Sequence, residues 1–286
     1  MSSPLAEEPG ARFYTPLFEA QQASRYERQG LIRDYQAKYG CRLVLVSSPI
    51  FTNSLVFLEE LIHDCDPAVD LHLMLTSPGG DGETALRMVR SVQARCKELT
   101  VVLPDQAKSA ATLIALGAHC ILMGPFGDLG PVDPQLLLES QTTFVSAKDI
   151  IAAVEDATAR IQAAPDSYPL WASLFSNLNG IIVQQARTAI ERSGDQLREA
   201  LAANPNRTPS EVDQLVRNLS ERLIVQPKSH SAVFGAEDAT KAGLPVTQLD
   251  PTGEQWREIW RLWGRYAVLG NVAAYEGERA SQVFQI

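Results

Sequence analysis

The chain of 286 residues carries a net charge of −9, with 45% hydrophobic and 21% charged residues, a composition typical of a soluble globular protein. It contains no run of Lys and Arg that would form a basic face for phosphates, so nucleic acid is not an expected partner. It also lacks a signal-peptide pattern and any apolar stretch of about 18 residues, so we expect a cytoplasmic protein without an integral membrane segment.

Metal and cofactor chemistry is not predicted. Four cysteines lie far apart in apolar segments without CxxC spacing, which disfavours a zinc or redox site and indicates buried, reduced thiols; they are Cys41, Cys65, Cys96 and Cys120. The nucleotide-binding patterns GxGxxG and GxxxxGK[ST] are absent.

A charged helix is predicted near the N-terminus, after a flexible arm of proline, glutamate and small residues at 1–16. The helix covers residues 17–39 and ends at Gly40, a residue typical of helix C-termini. A β-branched run at residues 41–48 then predicts a buried strand, and apolar residues at helical spacing predict a helix over residues 53–65.

Strands and helices continue to alternate further along the chain. Apolar runs at residues 69–77, 99–104 and 119–124 predict three more strands. A helix follows each of the first two runs, and the second of these helices is rich in alanine and ends at Gly117. Continuous apolar strands that alternate with helices indicate a parallel sheet covered on both faces. The predicted fold class is therefore α/β.

The pattern changes after Gly124, where a loop rich in glycine and proline leads into a helical block over residues 146–224. We interpret this block as an elaboration or lid on an α/β domain that spans residues 41–250. Within the block, Thr208 and Glu211 have the spacing of a capping box.

Two terminal segments flank this predicted domain: an N-terminal arm and helix at residues 1–40, and a C-terminal helix within residues 251–286. In the C-terminal helix, Trp256, Trp260 and Trp263 recur at helical spacing and lie on one face. That face is either part of the core or a contact between subunits, because aromatic residues are favoured at interfaces.

Two loops could carry chemistry. The stretch TSPGGDGE places Gly79 and Gly80 at the end of a strand, where backbone N–H groups can face an anion, although a simple tight turn has the same composition. In PDQAKSAATLIALGA, Ser109 precedes a helix and is either an N-cap residue or a nucleophile. Adjacent parallel strands end side by side, so we expect the two loops to face each other, which favours the nucleophile.

Three motifs in order, LTSPGGDGETALRMV, AKSAATLIALGA and MGPFGDLGPVDPQ, resemble the ClpP/SppA-like serine peptidase superfamily. Within it they are similar to the serine dehydrogenase proteinase family, an SppA-like group, as is the later segment HSAVFGAEDATKAGLPV. This resemblance implies a ClpP/crotonase-like spiral of ββα units. It also implies Ser109 as nucleophile and an oxyanion hole built from Gly79 or Gly80 together with Ala110.

The general base of the predicted site has more than one candidate. The region where ClpP carries its histidine reads LGPVDPQ here and contains none. SppA-like relatives use a downstream lysine in a "KD" context, which Lys148 in SAKDII matches. His230 is the rival base or a third member of the site. Lys108 is a weaker candidate, because neighbouring side chains on an elbow diverge.

We expect the remaining histidines and Asp133 to have mainly structural roles, with one alternative for Asp133. Asp133 either orients the base or shapes a loop between two prolines. His63, His72 and His119 fall in predicted helices and strands, and we expect them to be packing residues.

The predicted function is hydrolysis of peptide bonds through an acyl-enzyme on Ser109, with a peptide or protein substrate. Superfamily members assemble into rings or trimers, so the resemblance also implies a homo-oligomer. Two alternatives are a non-catalytic ClpP-like assembly or adaptor module, and a crotonase-like acyl-CoA enzyme that would use carboxylates in place of the serine.

Overall fold

The structure is a computed structural model that describes residues 15–137, 144–176, 178–227, 229 and 232–286. The described helices are α1 (Pro16–Tyr39), α2 (Ser54–Ile62), α3 (Gly82–Gln93), α4 (Ala110–Leu116), α5 (Ala147–Ala163), α6 (Tyr168–Leu174), α7 (Gly180–Ala202), α8 (Pro209–Ser220), α9 (Ala236–Lys241) and α10 (Glu254–Ala267). The described strands are β1 (Cys41–Ser47), β2 (Asp70–Thr76), β3 (Leu99–Leu103), β4 (Gln106–Ala107), β5 (Cys120–Met123), β6 (Asp128–Leu129), β7 (Gln135–Leu137), β8 (Phe144–Ser146), β9 (Val246–Gln248), β10 (Val272–Glu276) and β11 (Ser281–Gln285).

A seven-stranded sheet with the order β11-β10-β1-β2-β3-β5-β9 forms the centre of the fold. The neighbours from β1 to β9 pair in parallel, and β10 and β11 pair antiparallel at one edge. The four strands predicted from apolar runs are β1, β2, β3 and β5. The parallel α/β class is therefore confirmed.

A second layer of short pairings follows the ends of the main strands. Ile50 bridges Gly80, Ser77 bridges Ala107, and β4 pairs with β6. Each chain segment thus leaves the main sheet, makes a short parallel contact with the next segment, and then enters a helix. This repeat of strand, short strand and helix is the ββα pattern that the resemblance implied. It brings the loops after β2 and β3 into direct contact.

Helices cover both faces of the sheet. On one face α2, α3 and α4 pack on the strands, and α1 and α10 cover the other face. The second half of α7 and all of α8 belong to the main core through Leu197, Leu201, Leu215 and Leu219, which are all buried. The start of α5 and the first half of α7 form a separate small apolar cluster. The predicted helical block is therefore part core and part appendage, rather than a single insertion.

The C-terminal segment contains more than the predicted helix, because β10 and β11 follow it and join the sheet. Sequence analysis missed both strands, although Gly270, Asn271 and Gly277 offer turn signals beside them, because the segment was assigned only a C-terminal helix. Glu276 on β10 is fully buried and accepts hydrogen bonds from Arg28 (2.6 Å) and Tyr266 (2.6 Å). This contact ties α1 and α10 to the antiparallel edge.

Several local predictions have clear outcomes. The capping box of Thr208 and Glu211 is present. Trp256 is buried in the core, whereas Trp260 is 47% exposed, so the predicted tryptophan face is divided between core and surface. The four cysteines are free thiols, but only Cys41 and Cys96 are buried as predicted, whereas Cys65 and Cys120 are partly exposed.

Most of the predicted flexible arm at residues 1–16 lies outside the residues that the structure describes. In the parts of the chain that the structure describes, no helix has both the length and the apolar character needed to cross a bilayer.

Candidate active site

Ser109 occupies a sharp elbow between β4 and α4. Its backbone has φ 50° and ψ −116°, and it is the one non-glycine residue with positive φ among those the structure describes. It stands at the N-cap position, but its side chain makes no capping hydrogen bond. A backbone of this kind costs on the order of 1–3 kcal/mol and persists when surrounding contacts hold it. Ser109 therefore does not act as an ordinary N-cap residue of α4.

Hydrogen bonds on both sides hold the elbow in place. The Lys108 N–H donates to Ser77 O (3.0 Å), and the Ala111 N–H donates to Lys108 O (2.9 Å). The fully buried hydroxyl of Thr112 lies 2.7 Å from Ala107 O and 2.9 Å from Gly130 O. The elbow is thus anchored to the chain before it, to the helix after it and to the loop beyond β6.

The glycine turn after β2 presses directly against this elbow. Gly79 and Gly80 have φ 105° and 139°, values that side-chain-bearing residues rarely adopt. A Cβ atom on Gly79 would lie 2.7 Å from Ser109 Cβ and 2.9 Å from Lys108 O, and one on Gly80 would overlap Ile50 O. Both glycines are required by close approach, one to the serine and one to the neighbouring backbone.

Two backbone donors near Ser109 are available to a ligand. The Gly79 N–H donates to Ser77 Oγ (3.1 Å). Among the described residues, the N–H groups of Gly80 and Ala110 donate to no protein acceptor. Ala110 is the first residue of α4, where intrahelical acceptors are missing. Of the three predicted oxyanion residues, Gly80 and Ala110 therefore have free donors, and the Gly79 donor is already used.

Ser109 opens into a cleft of about 720 Å³, a volume within the roughly 300–1,000 Å³ range of ligand sites. Its walls come from the glycine turn, the start of α4, the loop at residues 132–134, the β7–β8 hairpin and α7. Apolar side chains, including Leu113, Val132 and Phe144, line much of it.

The predicted bases are not assembled around Ser109. Lys148 is the second residue of α5, and its ammonium donates to the carbonyl of Pro227. It is not among the residues that line the cleft. Lys108 is buried and paired with Asp128 at 2.5 Å, so its ammonium faces β6. His230 lies outside the described residues.

Asp133 connects the cleft to the start of α5. Its carboxylate is 3% exposed, lines the cleft and accepts a hydrogen bond from Ser146 Oγ (2.9 Å). Ser146 stands at the N-cap position of α5, but it makes no capping bond and uses its hydroxyl here instead. This contact places the chain next to Lys148 against the cleft wall.

Two of the three remaining histidines, His72 and His119, are partly buried packing groups as expected, whereas His63 is exposed at the end of α2, so the packing role predicted for it is wrong. His72 Nδ1 lies 2.8 Å from the Tyr35 hydroxyl, and His119 Nδ1 accepts from the Leu99 N–H at 3.0 Å. Neither these two nor His63 lines the cleft.

Sequence analysis missed the contribution of α7 to the cleft rim. Arg192 donates to Glu83 through Nε (2.7 Å) and Nη2 (2.8 Å), and to Glu199 through Nη1 (2.6 Å). The hydrogen bonds from Arg192 lower the pKa of Glu83. Since Glu83 is the second residue of α3, this pairing straps α7 to the helix that begins at the glycine turn. No sequence signal joins two residues so far apart on separate helices.

A strained serine lies against a glycine turn on a sheet built from repeated ββα units, which is the arrangement that the resemblance to ClpP-like serine peptidases implied. Residues 61–162 match the family model described as ClpP-like SDH-type serine proteinase. The matched segment contains the glycine turn, Ser109 and Lys148. The match covers less than half of the chain, and it confirms the resemblance that the motifs carry.

Individual relatives are more distant. An uncharacterised protein of Methanocaldococcus jannaschii is 41% identical over 66 residues, which is 23% of this chain and 23% of that protein. The alignment thus spans less than a quarter of the relative's length.

Three solved structures are similar in outline. A peptidase from Plasmodium falciparum is 13% identical with a TM-score of 0.40, over 73% of this chain and 96% of that one. Two variants of a membrane-bound stomatin-specific protease are 14% and 18% identical, with TM-scores of 0.33 and 0.32. They cover 78% and 73% of this chain, and 95% and 96% of theirs. At TM-scores below 0.5, these likenesses assign no role to any residue here.

Proposed function

We propose that the protein hydrolyses peptide bonds through an acyl-enzyme on Ser109. The observation that carries the proposal is the contact between the strained serine and the glycine turn, with the free N–H groups of Gly80 and Ala110 beside it. The Ser109 hydroxyl attacks the carbonyl carbon while its proton passes to a base. The two N–H groups stabilise the oxyanion that forms. Collapse expels the amine with a proton from the base, and water then hydrolyses the ester.

Lys148 is the base we propose, with His230 as the alternative. Supporting Lys148, the residue lies within the matched family segment, and the chain just before it is held to the cleft wall by Ser146 and Asp133. To reach Ser109, the Lys148 amine must release the Pro227 carbonyl. The proposal therefore includes a change of the Lys148 side chain when substrate occupies the cleft. Apo geometry that tightens on binding is common for catalytic groups.

A fluorophosphonate probe tests the nucleophile and the base together. We expect Ser109→Ala to abolish labelling with its unfolding curve unchanged. Lys148→Met should lower the labelling rate by about 10²–10⁴-fold, the usual contribution of a general base. Two surface variants serve as matched controls, Ser220→Ala on α8 and Lys241→Met on α9, and both should label as the wild type does.

The outcomes separate the candidate functions. Labelling that persists in Ser109→Ala removes this serine from the mechanism. A wild-type protein that never labels favours the adaptor interpretation, and co-purified coenzyme A favours an acyl-CoA enzyme. Normal labelling in Lys148→Met transfers the role of base to His230. A peptide or protein substrate, assembly into a homo-oligomer and a cytoplasmic location stay proposals that rest on the family.

A further inference from the structure

The geometry points to a buried ion pair, Lys108 with Asp128, as the positioning device that keeps Ser109 in its strained conformation. This inference rests on the proposed role of Ser109 as nucleophile. Lys108 directly precedes the serine, and the side chains of Lys108 and Asp128 are only 8% and 12% exposed. Nζ lies 2.5 Å from Asp128 Oδ2.

The ammonium of Lys108 is fully used by the protein. Besides Asp128, it donates to Leu129 O at 3.4 Å and to Ala232 O at 3.3 Å. A lysine ammonium has three donors and no acceptor, so these contacts satisfy it. It therefore joins the elbow to β6 and to the backbone beyond α8. A group held in this way does not act as a base, which agrees with the weak expectation for this residue.

The aliphatic part of the Lys108 side chain occupies space that is free because residue 130 is a glycine. At Gly130, a Cβ atom would overlap Lys108 Cδ and would lie 3.2 Å from Lys108 Cα and Cβ. The backbone of Gly130 also donates to Ala107 O at 3.2 Å. The side chain of Lys108 is thus enclosed between β4 and the loop after β6, with its Cα as well as its Nζ constrained.

Fixing Lys108 constrains Ser109 because the two residues share a peptide group. A return of Ser109 to negative φ would rotate the peptide plane that carries Lys108 O. That oxygen accepts from the Ala111 N–H, and the Lys108 N–H donates to Ser77 O. With the side chain anchored at Asp128, the residue has no freedom to follow such a rotation. The ion pair therefore adds a further constraint to the backbone conformation of Ser109. Strained backbone persists where several surrounding contacts hold it in this way.

A contribution to folding stability does not by itself explain why Lys108 and Asp128 form a buried ion pair. The desolvation of two buried charges offsets most of their attraction, and apolar or neutral replacements of both partners are often tolerated. Removal of only one partner leaves a buried charge uncompensated and is strongly destabilising. A variant that removes both charges together therefore separates a positioning role from a purely structural one.

The first experiment compares Lys108→Met/Asp128→Asn with the wild type. We expect the double variant to fold with an unfolding midpoint within a few degrees of the wild type. Its fluorophosphonate labelling rate should fall at least 10-fold, and for a peptide substrate kcat should fall while KM is retained. The control Lys241→Met/Glu237→Gln removes an exposed ion pair and should change neither quantity. Wild-type labelling in the folded double variant would overturn the inference.

A second readout does not depend on peptidase activity. Ser109→Gly relieves a positive φ, so it should raise Tm by about 2 °C in the wild-type background. In the double variant the elbow has already relaxed, and the same substitution should raise Tm by less than half as much. Equal gains in both backgrounds would overturn the inference. Unequal gains in a protein that never labels would uphold the positioning device and remove the proposed function.

The inference stays testable if the double variant does not fold. Lys108→Arg keeps the charge but places a planar guanidinium where the compact ammonium contacts Asp128, Leu129 O and Ala232 O. We expect labelling of this variant to slow several-fold, with the gain from Ser109→Gly reduced. Labelling and a Tm gain both equal to those of the wild type would contradict the positioning role.

Discussion

Replacement of Gly79 by alanine is the most direct perturbation of the candidate site. The new Cβ atom would lie 2.7 Å from Ser109 Cβ and 2.9 Å from Lys108 O. Both atoms belong to the elbow, and neither is the end of a flexible side chain. The turn and the elbow must therefore separate by roughly 0.5–0.7 Å to reach van der Waals contact.

Two effects set the expected loss of unfolding free energy in Gly79→Ala. An alanine at φ 105° costs about 1–3 kcal/mol in backbone strain, and the overlap adds to this, so we expect a loss of about 2–4 kcal/mol in unfolding free energy. A misplacement of about 1 Å at a reacting atom can cost 10²-fold in rate. A shift of this smaller size should slow acylation of Ser109 by about 10–100-fold.

Urea unfolding and the rate of fluorophosphonate labelling measure the two effects separately. Gly194→Ala is the matched control, because Gly194 lies within α7 with open space around its Cα. Alanine in a helix interior is favoured over glycine by about 0.5–1 kcal/mol, so this variant should be slightly more stable and label normally. If Gly79→Ala labels and unfolds as the wild type does, the contact between the turn and the elbow is not what positions Ser109.

Two further predictions concern buried groups. Thr112→Val removes the hydroxyl between Ala107 O and Gly130 O and should lower the urea-unfolding free energy by about 1–3 kcal/mol, with recovery in Thr112→Ser; no loss would mean that the elbow does not depend on this bond. Burial lowers the pKa of His72 to about 4, whereas its unfolded value is about 6.5. Unfolded chains then bind more protons between these pH values, so stability should fall by about 2–3 kcal/mol from pH 6.5 to 4. His72→Gln should flatten this dependence, and an unchanged slope would exclude His72 as its source.

Local patterns in the sequence were sufficient for the elements that frame the site. The apolar runs of β1, β2, β3 and β5 predicted the parallel sheet because strands buried on both faces contain few polar residues. The two functional loops could be placed side by side because neighbouring parallel strands end at one edge. β10 and β11 could not be placed in this way, since β10 pairs with β1 more than 200 positions away and β11 joins the sheet only through β10.

The fate of individual polar side chains was much less predictable. Ser146 has the sequence context of a helix cap but bonds to Asp133. Lys148 was singled out as a base and donates to Pro227. Lys108, next to the serine, is buried against Asp128. Each of these partners lies between 13 and 79 residues away, and sequence spacing carries no information about such pairs.

The sequence by itself determined the α/β class, the alternation of strands and helices, and the two loops that carry Ser109 and the glycine turn. These features depend on residue type and local periodicity, which act over a few neighbouring positions. Only the tertiary structure decided that Ser109 is strained, that Gly79 leaves room for it, and that Lys108 is occupied elsewhere. Such facts depend on distances of a few tenths of an ångström between segments that meet only after folding.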